Sequence, residues 1–121
     1  MVLVDTSVWI GHFVKINPTL SKLLETTEVY SHPFIIGELA CGRLQKRTEI
    51  LQLLKTLPQT VVVENEEILT FIENHKLSGL GIGLVDIHLL TSSVLSKIPL
   101  WTFDKKLSKA AEKLHLLYHP G

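Results

Sequence analysis

Four acidic side chains in this sequence stand in apolar company. They are Asp5 in "VLVDTS", Glu38 in "FIIGELAC", Asp86 in "IGLVDIHLL" and Asp104 in "LWTFDKKL". Acids are rarely buried unless something satisfies them. The other eight, Glu25, Glu28, Glu49, Glu64, Glu66, Glu67, Glu73 and Glu112, sit among polar neighbours and read as solvated surface. Four carboxylates brought together repel, and their pKa values rise unless a cation compensates them. Hard divalent ions such as Mg²⁺ or Mn²⁺ take oxygen ligands of this kind. A carboxylate-held ion without a nucleophilic Ser or Cys system suits hydrolysis of a phosphodiester, because it lowers the pKa of a bound water and stabilises phosphate charge. The hydroxyls of Thr6, Ser7 and Thr102 flank these acids as supporting polar groups. Arg43, Lys46 and Arg47 follow Glu38, and Lys105, Lys106 and Lys109 follow Asp104, where basic residues suit a phosphate backbone. Contacts of that kind position a substrate without reading its sequence.

The elements that must bring the acids together are legible as an alternation. Apolar, β-branched runs at Val2–Val4, Val29–Ser31, Thr60–Val63, Leu100–Phe103 and Leu114–Tyr118 read as strands. Helical patterns lie between them. Asn17-Pro18 is a cap followed by Pro at the first helical position, and Pro33 opens "PFIIGELACGRLQK" in the same way. Thr48 opens a helix with Ile50, Leu51, Leu54 and Leu57 at helical spacing. Asn65 with Glu66 and Glu67 opens another, its acids on the positive end of the dipole. "LVDIHLLTSSVLSK" is apolar enough for a buried helix, and "KKLSKAAEKL" is amphipathic. Strands alternating with helices predict an α/β fold, a parallel sheet sandwiched between helices. In such a sheet Asp5 and Asp104 leave strands at the carboxyl edge, and Glu38 and Asp86 lie near helix starts facing it. That edge is where ligands bind.

Composition narrows the class. The chain has 121 residues, so residues 1–121 read as one domain. Hydrophobic residues are 45% and charged residues 20%, which is globular composition. Twelve basic residues balance twelve acidic ones, so a nucleic-acid partner is not announced by net charge. The lone Cys41 excludes an internal disulfide and a Cys-rich zinc site. With no apolar run long enough to span a membrane and no signal-peptide pattern, the expectation is a cytoplasmic protein without a membrane partner.

Each residue also has a plainer reading. Asp is a preferred N-cap, so Asp5 and Asp104 taken singly are as well explained by capping as by metal binding. Asp86 can enrich the first turn of its helix. "SGLGIGL" lacks the Lys-Ser/Thr of a phosphate-binding P-loop and reads as a turn into the Asp86 helix. The six histidines show no ligand spacing, Cys41 reads as a small buried filler, and Trp9 and Trp101 read as core anchors, with base stacking open if either ring is exposed. Joint placement of the four acids favours the metal site.

With those residues in place, the chain resembles the PIN-domain ribonucleases, in particular the VapC-type toxins of prokaryotic toxin–antitoxin pairs. The resemblance rests on "VLVDTSVWI", "GELACGR", "LVDIHLLTSS" and "WTFDKKL" in that order, and it runs over nearly the whole chain. No single motif is specific; the set of four is. The resemblance implies a PIN-like fold and a metal-dependent RNA endonuclease using Mg²⁺ or Mn²⁺. It assigns Asp5, Glu38, Asp86 and Asp104 to the acidic set and Thr102 and Thr6 to support. It also implies a homodimer neutralised by a cognate antitoxin that inserts into the active-site groove. Ile87 stands where the family often has Ala, and Lys105 and Lys106 stand where some members carry a further acid or amide. Two other readings were weighed. A haloacid-dehalogenase-like phosphatase also places an aspartate after its first strand but wants an acid two residues on, where this chain has Ser7. A catalytically silent binding module would keep the fold for partner contacts.

Overall fold

The computed structural model describes residues 1–120. Three strands, β1 (Val2–Val4), β2 (Val29–Tyr30) and β3 (Leu100–Trp101), form a parallel sheet in the order β2-β1-β3. Val2 pairs with Val29 and Leu3 with Tyr30 on one side of β1; Leu3 pairs with Leu100 and Val4 with Trp101 on the other. Seven helices complete the described residues: α1 (Thr6–Val14), α2 (Pro18–Glu25), α3 (Pro33–Cys41), α4 (Arg47–Thr56), α5 (Asn65–His75), α6 (Leu84–Ser96) and α7 (Lys105–Lys113). The expected α/β architecture is present.

Successive strand side chains point to opposite faces. Val2, Leu3 and Val4 are all fully buried, so both faces of β1 are covered, as a parallel sheet requires. Around them pack Val8 and Trp9 from α1, Leu89 and Leu90 from α6, and Leu107 and Ala111 from α7. Seven consecutive residues of α6, Ile87–Ser93, are buried. Two of its polar members are paired inside: the Thr91 hydroxyl donates to the Ile87 carbonyl (2.8 Å) and the Ser92 hydroxyl to the Val61 carbonyl (2.6 Å).

Two expected strands are reduced to single bridges at the sheet margins. Beyond β2, Ser31 pairs in parallel with Gln59; beyond β3, Leu100 pairs in parallel with Leu117. The valine run does not lie in the sheet. Pairing falls earlier, where Ser31 N–H donates to the Pro58 carbonyl and Thr60 N–H to the Ser31 carbonyl. Past that point Ser92 binds the Val61 carbonyl, and Val61 and Val62 are exposed. At the other margin Leu114 ends α7 and His115 takes a left-handed conformation (φ 58°), so only the residues around Leu117 reach β3.

The helix starts follow their caps. Asn17 accepts from Leu20 N–H (3.1 Å) ahead of Pro18, and the ring of His32 accepts from Phe34 N–H (2.9 Å) ahead of Pro33. Helix α3 stops at Cys41, sooner than "PFIIGELACGRLQK" suggests, because Gly42 leaves helical geometry and Arg47 donates to the exposed carbonyls of Ala40 (2.5 Å) and Gly42 (3.2 Å). Cys41 is therefore exposed, not the buried filler expected. Trp9 and Trp101 are core residues, 1% and 2% exposed, which removes both from consideration as base-stacking surfaces.

Candidate active site

Asp5 is the first residue beyond β1. Its N–H makes a ladder bond to the Trp101 carbonyl (2.9 Å), which ties the ends of β1 and β3 together. Its side chain turns to cap α1 and is buried, 5% exposed. Oδ2 accepts from the hydroxyls of Ser7 (2.8 Å) and Thr102 (2.7 Å) and, at longer range, from Ser7 N–H (3.4 Å). Thr102 also accepts from Asp104 N–H (3.0 Å), and the Ser7 hydroxyl accepts from Phe103 N–H (3.0 Å). Thr102 and Ser7 thus stitch the loop after β3 to the start of α1.

The remaining acids are held in the same manner. Asp104 caps α7, its Oδ1 accepting from Leu107 N–H (2.8 Å). Asp86, in the first turn of α6, accepts at Oδ2 from Gly83 N–H (3.3 Å). Glu38, on α3, accepts at Oε1 from the Thr6 hydroxyl (2.9 Å). Among the described residues, each of the four carboxylates has one oxygen engaged by protein donors and a second that receives none. Three of the four sit at helix N-termini, where the dipole favours negative charge.

The four acids share one region of the molecule. Burial raises the pKa of Asp86 above the ordinary carboxylate range; the Gly83 hydrogen bond opposes this, and the charges of Asp5, Asp104 and Glu38 each push it further up. The convergence is looser than expected from the sequence. Among the described residues no three His, Cys, Asp or Glu side chains gather into one metal-ligating group. Nor are all four buried: Asp5 is, Asp86 is intermediate, and Glu38 and Asp104 are exposed. The apolar neighbours of Glu38, Ile35 and Leu39, face the core while Glu38 faces out.

The basic residues divide. Arg43 and Lys46 line a hollow of about 560 Å³ with Ile10, Phe13, Val14 and Ile50. Arg47 is engaged in closing the end of α3. Lys105, Lys106 and Lys109 are exposed on α7 directly after Asp104. The stem of Lys106 lies across Gly81, whose φ of 76° favours glycine; an added Cβ would fall 2.9 Å from the lysine chain and push it aside. None of these cations is paired with a carboxylate, since the one ion pair among the described residues joins the N-terminal amine to Glu28 (4.0 Å).

Sequence patterns missed two features. Gly83 supplies the backbone donor to Asp86, detectable only as a glycine three residues ahead of an acid. His32 and His88 form a buried pair with ring centres 6.3 Å apart, with Phe34 between them in edge contact with both. Burial, with a smaller contribution from His88, lowers the pKa of His32 to about 4.

A family model for the PIN domain matches residues 2–113. The chain is 42% identical over 111 residues to "Ribonuclease VapC32" of Mycobacterium tuberculosis, in both strain H37Rv and strain CDC 1551, covering 91% of this chain and 90% of each relative. Among solved structures, PAE2754 from Pyrobaculum aerophilum superposes with a TM-score of 0.64 at 14% identity, covering 90% of this chain and 83% of that one, a likeness of fold. No helix among the described residues is long and apolar enough to cross a membrane. From a family match over nearly its full length and a close relative of the same extent, the chain belongs to the PIN-domain family.

Proposed function

We propose that this protein is an RNA endonuclease whose site is formed by Asp5, Glu38, Asp86 and Asp104 around a divalent cation, Mg²⁺ or Mn²⁺. The observation that carries the reading is the arrangement of the carboxylates. Each is anchored through one oxygen and offers the other, and burial, with the charges of the other three acids behind it, raises the pKa of Asp86. Such donors fit a hard cation. Their spacing suits an ion that keeps several of its waters and takes only one or two carboxylates directly, as Mg²⁺ does. When bound, the ion supplies an acidified water and stabilises charge on a phosphate oxygen.

The protein's own groups do the positioning. Thr102 and Ser7 fix Asp5 by binding Oδ2, and Thr6 fixes Glu38. Thr102 also holds the backbone of Asp104, so one hydroxyl sets the relation between two acids from opposite ends of the chain. Lys105 and Lys106, exposed and unpaired beside Asp104, are placed to take phosphates flanking the bond that is cut. Arg43 and Lys46 offer a second basic edge; Arg47, already bonded to two carbonyls, contributes less.

The 42% identity to a protein named as a ribonuclease supports the substrate class. The family resemblance extends the reading to a toxin that works as a homodimer in the cytoplasm and is neutralised by a cognate antitoxin. A phosphatase of the haloacid-dehalogenase type is not favoured, because Ser7 stands where its acid would be and is spent on Asp5. A silent binding module would have no need of four separately anchored carboxylates. The test is incubation of purified protein with total RNA in Mg²⁺, in Mn²⁺ and in chelator. Internal cuts that require the metal are expected; metal-independent cleavage or none overturns the reading.

A further inference from the structure

Among the described residues Phe103 is the one aromatic side chain in the set of large hydrophobics left mostly in water, 55% exposed, and it lies between Thr102 and Asp104. A ring in that position is not idle packing, because its neighbour Trp101 is 2% exposed and already fills the core at the end of β3. Nor is the ring loosely tethered. The backbone N–H of Phe103 donates to the Ser7 hydroxyl (3.0 Å), the same hydroxyl that binds Asp5. One edge of the ring rests over Gly11 of α1, where a Cβ would stand 3.5 Å from Cε2, in ordinary contact. Trp101 meets it edge-on, ring centres 6.0 Å apart and planes at 86°. The ring is therefore seated on α1 and β3 and still presents apolar surface, while the backbone that carries it is bonded to the hydroxyl that holds Asp5.

From this we infer that Phe103 is a stacking platform for an unpaired nucleobase flanking the cleaved bond. The inference rests on the ribonuclease reading above and adds a substrate-contacting residue to it. The cation and the lysines engage phosphates, which leaves the bases to be held by uncharged contact. A base has a π-face whatever its identity, and stacking on an aromatic side chain supplies that grip without sequence readout. Phe103 adjoins Asp104 in the chain, so a base on it belongs to a nucleotide next to the reacting phosphate. Lys105 and Lys106 then meet the phosphates flanking the cut on the same strand.

The experiment uses a defined single-stranded RNA cut by the wild-type protein, together with two versions made abasic at the nucleotide on either side of the cut. Phe103→Leu keeps apolar bulk over Gly11 and removes the π-face; Phe103→Trp keeps the face. Expected for Phe103→Leu is a rise in KM of about 5- to 150-fold, with thermal stability retained, and recovery in Phe103→Trp. One abasic RNA should lose the same factor with wild type and nothing further with Phe103→Leu. If Phe103→Leu cuts with an unchanged KM, or if the abasic and Phe103→Leu losses multiply independently, the ring serves some other contact and the inference falls while the ribonuclease reading stands. A wild-type protein that cuts no RNA overturns both.

Discussion

The hydroxyl of Thr102 donates to Asp5 Oδ2 at 2.7 Å while accepting from Asp104 N–H at 3.0 Å, and so couples the two ends of the chain through a single buried oxygen. Groups that orient ligands from behind typically cost about 10–100-fold in metal affinity or activity when lost. Thr102→Val, which keeps the shape and removes the hydroxyl, should lower RNA cleavage by about that factor. Thr102→Ser should restore most of it. Rates measured at saturating Mn²⁺ decide the matter, and equal activity in the Val variant would remove Thr102 from the site.

Asp104 has two separable jobs, capping α7 and facing the site. Asn is as good an N-cap as Asp. Asp104→Asn should therefore melt close to wild type yet lose cleavage by more than about 100-fold, beyond the outer-shell range. Asp104→Ala should lose the same activity and also about 1 kcal/mol of stability, the usual worth of a cap. Urea denaturation beside a cleavage assay distinguishes these outcomes. An active Asn variant would mean that Asp104 is a cap and nothing more.

That ambiguity explains how far the sequence could be read. The caps at Asn17-Pro18 and Pro33 and the buried run of α6 were legible because burial and helix ends impose residue types locally. The strand at Thr60–Val63 was not. β-branched composition says that a segment suits a sheet, but the hydrogen bonds of Ser31 to the Pro58 carbonyl and of Ser92 to the Val61 carbonyl decide where pairing stops. The exposure of Glu38 was missed because apolar neighbours in sequence lie on different faces of a helix. Which oxygen of each carboxylate is engaged depends on contacts such as Thr6 with Glu38, 32 residues apart, that no local pattern encodes.

Charge crowding at Asp86 should be measurable as stability. Burial first, and then the charges of Asp5, Asp104 and Glu38, raise its pKa, so the ionised form of Asp86 opposes folding. In chelator, Asp86→Asn should melt above wild type while losing RNA cleavage. Adding Mn²⁺ should raise the wild-type melting temperature more than that of the variant, since a ligand bound only by the folded state stabilises it. A variant that melts below wild type in chelator would show that the crowding is not felt.

His32 predicts an acid-sensitive fold. Its folded-state pKa of about 4 lies below the ordinary 6.5, so the unfolded chain takes up a proton first as pH falls. The stability it contributes is whole above pH 6.5 and is lost on acidification toward pH 4, at up to about 1.4 kcal/mol per pH unit. His32→Asn retains a capping side chain without titrating in this window. Urea midpoints at pH 7, 6 and 5 should fall for wild type and fall less steeply for the variant; parallel slopes would place the sensitivity elsewhere.

The account stands on four carboxylates that share one divalent ion, directly or through its waters, and Mn²⁺ binding to the purified protein by titration calorimetry measures this most directly. Wild type should bind, and Asp5→Asn, Glu38→Gln, Asp86→Asn and Asp104→Asn should each weaken binding by at least about tenfold. Binding as tight as wild type in all four variants would place the ion elsewhere and contradict the account.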